Sequence, residues 1–173
     1  MDLFKAIETR RSVRRFKPQP VPRADLEKLV AAAIEAPSGC NLQLRQYIIV
    51  DSPDVLADLR RLRGVTETAP AAIVLLMEPK GSEWGEFWIQ DASAAMENML
   101  LAAVAMGYGA VWIEGALRAN EDALREALGV GDGLRVWAIM PVGQADEQPD
   151  RRPKSAFADV THYNGFVSRP AAQ

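Results

Sequence analysis

The sequence has a single cysteine, Cys40, and a single histidine, His162. One thiol cannot form an intramolecular disulfide, so a disulfide-stabilised secreted domain is excluded and a cytoplasmic location is expected. One thiol and one imidazole also cannot supply the ligands of a typical zinc site, so we predict no metal site. A hydrolase with a histidine base is not supported, and His162 is expected to pack at a surface. Cys40 is either a reactive thiol in its glycine-containing loop or a bystander.

The sequence also lacks a long apolar run. A membrane-spanning helix needs about 18 or more apolar residues, and the richest segment, residues 92–106, is interrupted by Glu97 and Asn98. Charged side chains within the first ten residues are not the pattern of a signal peptide. With 173 residues, of which 49% are hydrophobic, the composition predicts one soluble domain, residues 1–173, that contacts no membrane.

Basic residues are concentrated at the N-terminus of an acidic chain. The net charge is −3, yet residues 1–23 contain seven lysines and arginines against two acidic residues. A general nucleic-acid binder spreads its basic residues over a whole face. We therefore predict no nucleic-acid partner, while a local anion site remains possible.

Helix and strand signals alternate along the chain. Helices are predicted after Asp2, over the segment that ends at Pro37, from Ser52 to Gly64, from Glu86 to Met106 and from Asn120 to Leu128. Strands are predicted within residues 46–51, 69–77, 109–115 and 134–143. Because 69–77 is apolar on both faces, it is predicted to be an interior strand. The order indicates a mixed fold with three layers.

Two further segments are assigned without a repeating pattern. "GVGDG", residues 129–133, follows a helix, whereas a dinucleotide-binding loop follows a strand, so we predict a turn. Residues 144–173 begin with a polar stretch and continue with aromatic residues that have no helical period. We expect this C-terminal arm to lie across another subunit.

The main charged feature is the segment "IETRRSVRRF", which contains Arg10, Arg11, Arg14 and Arg15. A solvated helix end, where cations offset exposed carbonyls, explains one or two of these arginines. Arginine side chains next to the Ser12 hydroxyl would also form a phosphate site. A second basic group, "RRPK", could contribute to the same dianion. Both interpretations remain open from charge alone.

Four segments together resemble the nitroreductase-like family of FMN-dependent NAD(P)H oxidoreductases. They are "RRSVRRF", "APSGCNLQ", "DASAAMENMLLAAVAMGYGAVWIEG" and "RRPKSAFADVTHYNGF", in this order along nearly the whole chain. The resemblance implies an α+β, three-layer fold with a mixed central sheet flanked by helices. It also implies a homodimer with FMN at the subunit interface and a C-terminal arm that crosses onto the partner subunit.

The resemblance assigns roles to the arginine cluster. Arg10 and Ser12 match positions that hold the FMN phosphate and ribityl chain. Arg11 and Arg14 match positions beside the pyrimidine edge of the flavin. Because two-electron reduction places negative charge near N1 and C2=O, a fixed cation there would stabilise the reduced cofactor. Arg15 matches no such position and is expected to be a surface charge.

Three further segments match cofactor-binding positions, and none matches a catalytic residue, because the chemistry belongs to FMN. The first is Pro37, Ser38, Gly39 and Asn41, in a loop from the partner subunit. The second is Ile113, Glu114 and Gly115, along one face of the flavin with a backbone N–H near N5. The third is Lys154 with Arg152, at the phosphate.

The sequence departs from the family pattern in two places. Many relatives continue the second segment as Gln-Pro-Trp, where this chain has Gln43, Leu44 and Arg45, and we expect Arg45 to be exposed. Only residues 78–90 connect the strand ending at Met77 to the long helix. In this connection Trp84, Phe87 and Trp88 would either form a wall of the substrate pocket or pack in the core or the dimer.

The resemblance implies an enzyme that uses NADH or NADPH to reduce nitroaromatics, quinones or similar flat, small-molecule acceptors by a ping-pong hydride mechanism. A family member with a dedicated substrate, such as an enone, a halophenol or an azoline, is an alternative. A non-catalytic flavin-binding protein, or an anion or nucleic-acid binder that uses the arginines, would belong to a different class.

Overall fold

The computed structural model describes residues 1–81 and 85–166. Helices and strands alternate along this part of the chain. The helices are α1 (Leu3–Thr9), α2 (Arg23–Ile34), α3 (Pro53–Arg61), α4 (Trp88–Ala105), α5 (Glu121–Ala127) and α6 (Phe157–Val160). The strands are β1 (Arg45–Val50), β2 (Ala71–Met77), β3 (Gly109–Ala110) and β4 (Arg135–Gly143). No helix of the described residues is long and apolar enough to cross a membrane.

The four strands form one sheet in the order β1-β2-β4-β3, and all neighbouring strands are antiparallel. Val74 in β2 lies opposite Ile48 on one side and Ile139 on the other. Within residues 1–81 and 85–166, the parallel component is a single bridge between Ser12 and Ala110 outside the named strands. The predicted α+β fold is therefore confirmed, with a sheet that is mixed only through this bridge.

Strand β2 is the centre of the hydrophobic core, because all seven of its residues are buried. Ile73 and Leu75 belong to a cluster with residues of α2 and α4. Val74 and Leu76 point to the opposite face and join a cluster with residues of α3 and α5. Since side chains alternate along a strand, an apolar strand of this kind serves two cores. The predicted interior strand and three-layer arrangement are both confirmed.

Helix α4 is the long buried helix, although it begins two residues later and ends one residue earlier than predicted. Its apolar residues pack against α2 and the sheet. Gly107 follows the helix with a φ of +86°, a left-handed conformation that glycine adopts readily. The Tyr108 amide then donates to the Ala103 carbonyl at 2.8 Å, and the chain turns into β3. The predicted stop at Gly107 is confirmed.

Two other local predictions have mixed outcomes. Asp2 caps α1, since its carboxylate accepts from the amides of Phe4 and Lys5 at 3.2 and 3.3 Å. Asn120 precedes α5 but makes no side-chain capping bond, and its Nδ2 donates to the Leu62 carbonyl. The predicted strand over residues 109–115 is limited to β3, with one further bridge between Ile113 and Ile139.

Residues 10–16, which we call the arginine segment, run in an extended conformation beside β3. The Val13 amide donates to the Ala110 carbonyl at 3.0 Å. A Cβ atom on Gly109 would lie 2.8 Å from the Cβ of Val13, closer than nonbonded carbon atoms approach. The absence of a side chain at Gly109 therefore allows the arginine segment to approach the sheet.

The C-terminal arm first returns along the arginine segment and then continues as an exposed stretch. Asp146 donates its amide to the Arg15 carbonyl at 2.9 Å. Every residue from 150 to 160 is exposed, including the unpredicted single turn α6. The His162 ring contacts Phe166, with centroids 4.6 Å apart. Residues 167–173 of the arm and Trp84 lie outside the described residues.

Replacing Gly109 by alanine is expected to push the arginine segment away from β3. Because the added methyl group would meet the Val13 side chain, we expect a loss of about 1–3 kcal/mol in the free energy of unfolding. Chemical denaturation measures this change. Gly131→Ala is the matched control, since a Cβ there meets no atom within 4 Å; equal stability of the two variants would contradict the prediction.

Candidate functional site

The first two arginines of the arginine segment are half-buried and already have partners. The Nε atom of Arg10 lies 3.7 Å from a carboxylate oxygen of Glu97 on α4. Arg11 folds back, and its Nη1 donates to the carbonyls of Glu8 and Arg10 at 2.9 and 2.7 Å. The helix-end interpretation therefore describes Arg11. Helix α4 holds Arg10 through a loose ion pair at Nε, which leaves the other guanidinium N–H donors of Arg10 available.

The second half of the arginine segment is fixed by a carboxylate from the arm. Glu147 accepts the backbone amides of Arg14 and Arg15 at 2.5 and 3.1 Å. The Arg14 amide is the main cause of the lowered pKa of Glu147, followed by the Arg15 amide, with burial opposing both. The Arg14 and Arg15 side chains are exposed, and Ser12 is half-buried. No pattern in the sequence singled out Glu147.

The segment Ile113–Gly115 lies on the same edge of the sheet as the arginine segment. Ser12 pairs with Ala110, and three residues later Ile113 exchanges two backbone bonds with Ile139 at 3.0 and 2.9 Å. The chain then leaves the sheet at Glu114, whose carboxylate accepts from Arg118 at 2.6 and 3.0 Å. The structure thus places two of the four predicted groups of site residues along one edge of the sheet.

Gly115 is exposed and has no role in the packing of this chain. A Cβ built there meets no atom within 4 Å, and its φ lies outside the left-handed region. Neither backbone conformation nor neighbouring side chains therefore require glycine at this position. This open position follows Ala110, the residue that pairs with Ser12, by five residues, and an external flat group could pack against its backbone.

Residues 36–43, which we call the αL loop, contain three non-glycine residues in the left-handed conformation. They are Cys40, Asn41 and Gln43, with φ values of +50°, +54° and +53°. Asparagine tolerates this conformation better than cysteine or glutamine does. The backbone amide of Gln43 donates to Ser38 Oγ at 3.2 Å, which closes the loop. Such strain persists where surrounding structure maintains it, and it is frequent at functional sites.

The αL loop is attached to the first turn of α4. The Gly39 amide donates to the Asp91 carboxylate at 2.8 Å. Arg45 donates to the carbonyls of Ala36, Pro37 and Asp91 at 2.8, 3.2 and 3.3 Å. The expectation that Arg45 is exposed was wrong, because it is half-buried against these carbonyls. Sequence reasoning also missed Asp91, although an acidic residue at the start of an apolar helix was the available signal.

The αL loop and the arginine segment are not joined within one chain. The loop contacts Asp91, whereas Arg10 contacts Glu97, six residues or about 9 Å further along the helix axis. Over residues 1–81 and 85–166, no hydrogen bond or ion pair connects the two groups. The two groups are therefore held by α4 at separate points of the helix.

The basic residues of the arm approach the arginine segment through Arg151. The pKa of Glu8 is lowered mainly by its hydrogen bond and ion pair with Lys5, and the charges of Arg151 and Arg11 add to this effect. Arg152 and Lys154 are exposed. The structure thus places the start of the second basic group near α1, without a contact from Lys154 to the arginine segment among the described residues.

Two cavities border these groups. One of about 400 Å³ is lined by Thr9, Arg11, Val13, Tyr108 and Glu147, among others. The other, of about 280 Å³, includes Trp88, Glu114, Arg118, Arg135 and Trp137. No cluster of metal-ligating side chains occurs in the part of the chain that the structure describes.

Of the three aromatic residues at the approach to α4, Phe87 and Trp88 lie in the part of the chain that the structure describes. Phe87 packs against Gly39, where a Cβ would lie 2.5 Å from its ring. Trp88 lines the smaller cavity, with the Arg135 guanidinium 5.8 Å from its ring centroid. Phe87 therefore supports the αL loop, and Trp88 has the position of a wall residue.

Known proteins resemble this chain along most of its length. A model of the nitroreductase family matches residues 7–63 and 59–144. Two archaeal proteins carry the provisional name NADH dehydrogenase/NAD(P)H nitroreductase. The protein of Archaeoglobus fulgidus is 37% identical over 110 residues, which cover 61% of this chain and 63% of that protein. The protein of Methanothermobacter thermautotrophicus is 32% identical over 110 residues, covering 62% and 58%.

The chain thus spans less than two thirds of these two relatives. Among solved structures, an FMN-dependent nitroreductase from Clostridium difficile has a TM-score of 0.81 and 29% identity. That alignment covers 94% of this chain and 99% of the other. The similarity in fold therefore includes the elements that carry the arginine segment, the αL loop and Gly115.

Glu147→Ala is expected to loosen the arginine segment. Two backbone amides would lose their acceptor, so we expect a decrease of about 1 kcal/mol in the free energy of unfolding near neutral pH. Because the pKa of Glu147 is lowered in the folded state, its stabilisation is present above the unfolded-state pKa and disappears as the pH falls through the folded-state pKa. Chemical denaturation of wild type and Glu147→Ala at neutral and acid pH measures the difference in their free energies of unfolding.

The exposed carboxylate of Glu67 provides the control, through Glu67→Ala. A stability difference between wild type and Glu147→Ala that stayed constant into the acid range would contradict the role of the Glu147 carboxylate.

Proposed function

Because the chain belongs to the nitroreductase family, we propose that it is an FMN-dependent oxidoreductase that uses NADH or NADPH to reduce nitroaromatics, quinones or similar flat acceptors. The proposal includes a homodimer with FMN at the subunit interface. It also includes a cytoplasmic location, which rests on the use of a single cysteine.

The observation that carries the proposal is the open space at Gly115, in the segment that leaves the sheet after Ala110, the partner of Ser12. A flat ring could lie against this backbone, because no side chain of the described residues fills the Cβ direction. Cations and a hydroxyl that suit a phosphate stand on the same edge of the sheet, at Arg10 and Ser12. FMN would need both features, an open backbone surface for its ring and cations with a hydroxyl for its phosphate.

The residues present therefore fit the cofactor. Arg10 and Ser12 would hold the phosphate and ribityl chain, with Arg152 and Lys154 from the arm as further cations. Arg11 and Arg14 would stand beside the pyrimidine edge, and Ile113, Glu114 and Gly115 along one face of the ring. Arg11 is already fixed by two carbonyls, so its charge is oriented before any ligand binds.

A second subunit would complete the site with the αL loop. This loop, with Pro37, Ser38, Gly39 and Asn41, is attached to the first turn of α4, about 9 Å along the helix axis from the Glu97 that contacts Arg10. The chain also exposes large apolar side chains that favour burial on association: Leu3, Phe4, Ile7, Phe157, Val160, Tyr163 and Phe166. The arm, exposed from 150 to 160, has the character of a segment that covers another subunit.

When bound, FMN supplies the hydride chemistry. The residues of this chain would bind the phosphate, orient the ring and place positive charge near the edge that becomes electron-rich. No residue is assigned as a general acid or base. The nicotinamide donor and the acceptor would occupy the same face in turn, which gives ping-pong kinetics.

The purified protein provides the direct test. We expect it to retain FMN, to lose the flavin absorbance when NADH or NADPH is added anaerobically, and to recover it when a nitroaromatic or quinone is supplied. Light scattering should report a flavin-loaded dimer. FMN that binds but is never reduced would favour a non-catalytic flavin-binding protein, and absence of FMN binding after reconstitution would refute the proposal. Faster reoxidation by an enone or halophenol would indicate a dedicated substrate.

Gly115→Leu is expected to abolish the space for the ring while leaving the fold intact. Since a Cβ at Gly115 meets no atom of the described residues within 4 Å, thermal stability of the apoprotein should not change. FMN affinity should fall by about tenfold or more, because the side chain would occupy the ring position. Gly131→Leu, at a position equally open and outside the left-handed region, is the matched control. Equal FMN affinity in both variants would contradict the ring placement.

A further inference from the structure

Arg45 and Asp91 hold the αL loop, yet the proposed function gives neither residue a task. Both attach the loop to the start of α4 rather than to the hydrophobic core.

The Arg45 guanidinium connects three backbone carbonyls from two elements. It donates to Ala36 and Pro37, which begin the αL loop, and to Asp91 in the first turn of α4. A planar guanidinium presents several donors in fixed directions, which a lysine ammonium does not. The entry into the loop is thereby fixed relative to the helix.

The Asp91 carboxylate fixes the middle of the loop. Asp91 is only 5% exposed and is the single buried charged residue among the residues described. Its Oδ1 accepts the Gly39 amide at 2.8 Å, immediately before the first left-handed residue, Cys40. A buried carboxylate is tolerated where such bonds compensate its desolvation, so this contact ties the buried charge to the loop conformation.

The two attachments explain how the αL loop keeps its unfavourable backbone. Three left-handed residues at 40, 41 and 43 would relax if the loop were free, since each occupies a sparsely populated conformation. Gly39 also packs directly on Phe87, which leaves no room for a side chain. The loop is therefore anchored at Ala36, Pro37 and Gly39, on the side that precedes the strained residues.

We propose that Arg45 and Asp91 are positioning residues that pre-organise Pro37–Asn41 for contact with the FMN bound mainly by the partner subunit. The inference rests on the proposed function, because the loop needs a fixed shape only if it lines a ligand. Arg45 and Asp91 are not assigned any contact with the cofactor. They act through the backbone of the loop.

The test compares Arg45→Met and Asp91→Ala with the conservative variants Arg45→Lys and Asp91→Asn. Arg61→Met, an exposed arginine on α3, is the control. Hydrogen exchange of the Gly39 amide in the apoprotein reports the loop directly, and FMN titration, the flavin reduction potential, kcat and KM report its effect on the site. Thermal unfolding of each variant separates loss of the fold from loss of positioning.

We expect Asp91→Ala and Arg45→Met to speed exchange of the Gly39 amide and to weaken FMN binding by about tenfold. The reduction potential should shift, because the groups along the ring move. Asp91→Asn, which keeps an acceptor oxygen, should recover most of the affinity, and Arg45→Lys should recover part of it. Arg61→Met should match wild type in every measurement.

The outcomes separate the two proposals. The positioning role alone would be overturned if wild type binds and reduces FMN and the Arg45→Met and Asp91→Ala variants match it. The match would have to hold for exchange of the Gly39 amide, FMN affinity and flavin reduction potential. The positioning role would also be overturned if Arg45→Met and Asp91→Ala lose FMN affinity only in proportion to lost thermal stability, and Arg45→Lys and Asp91→Asn recover none of it. A wild type that binds no FMN would overturn the proposed function and this inference together.

Discussion

Burial of helix α4 against helix α2 and the sheet is the interaction on which the rest of the structure depends. The apolar residues of this helix join the core that β2 and β4 share with α2. Once the helix is fixed, its first turn presents Asp91 to the αL loop, and its middle presents Glu97 to Arg10. Its end at Gly107 leads directly into β3, beside which the arginine segment lies. One buried helix therefore sets the positions of groups that are far apart in sequence.

The candidate site follows from a division of tasks between backbone and side chains. Backbone contacts with β3 and Glu147 hold the arginine segment, so its side chains do not have to stabilise the fold. In the αL loop the relation is reversed, since the side chains of Asp91 and Arg45 hold the backbone. The two arrangements leave different groups available to a ligand: cationic side chains in the first, and backbone and small residues in the second.

Much of the fold was predictable because its signals are local. The apolar run at β2 predicts an interior strand, and Gly107 ends α4 where the sequence indicates. The role of Arg45 was not predictable in this way. Its partners Ala36 and Asp91 lie 9 and 46 residues away, and only the folded chain brings their carbonyls to one guanidinium. Glu147 was missed for the same reason, since its bonds to the arginine segment span more than 130 residues.

The sequence by itself determined the alternation of helices and strands, the interior position of β2 and the family resemblance that singled out the arginine segment, the αL loop and Gly115. These follow from hydrophobic periodicity, turn residues and short segments, which act over a few positions. Only the tertiary structure decided which arginines already have partners, that Gly115 faces open space, and that the αL loop lies apart from the arginine segment in one chain. Those facts depend on distances between elements, which packing sets and local sequence does not encode.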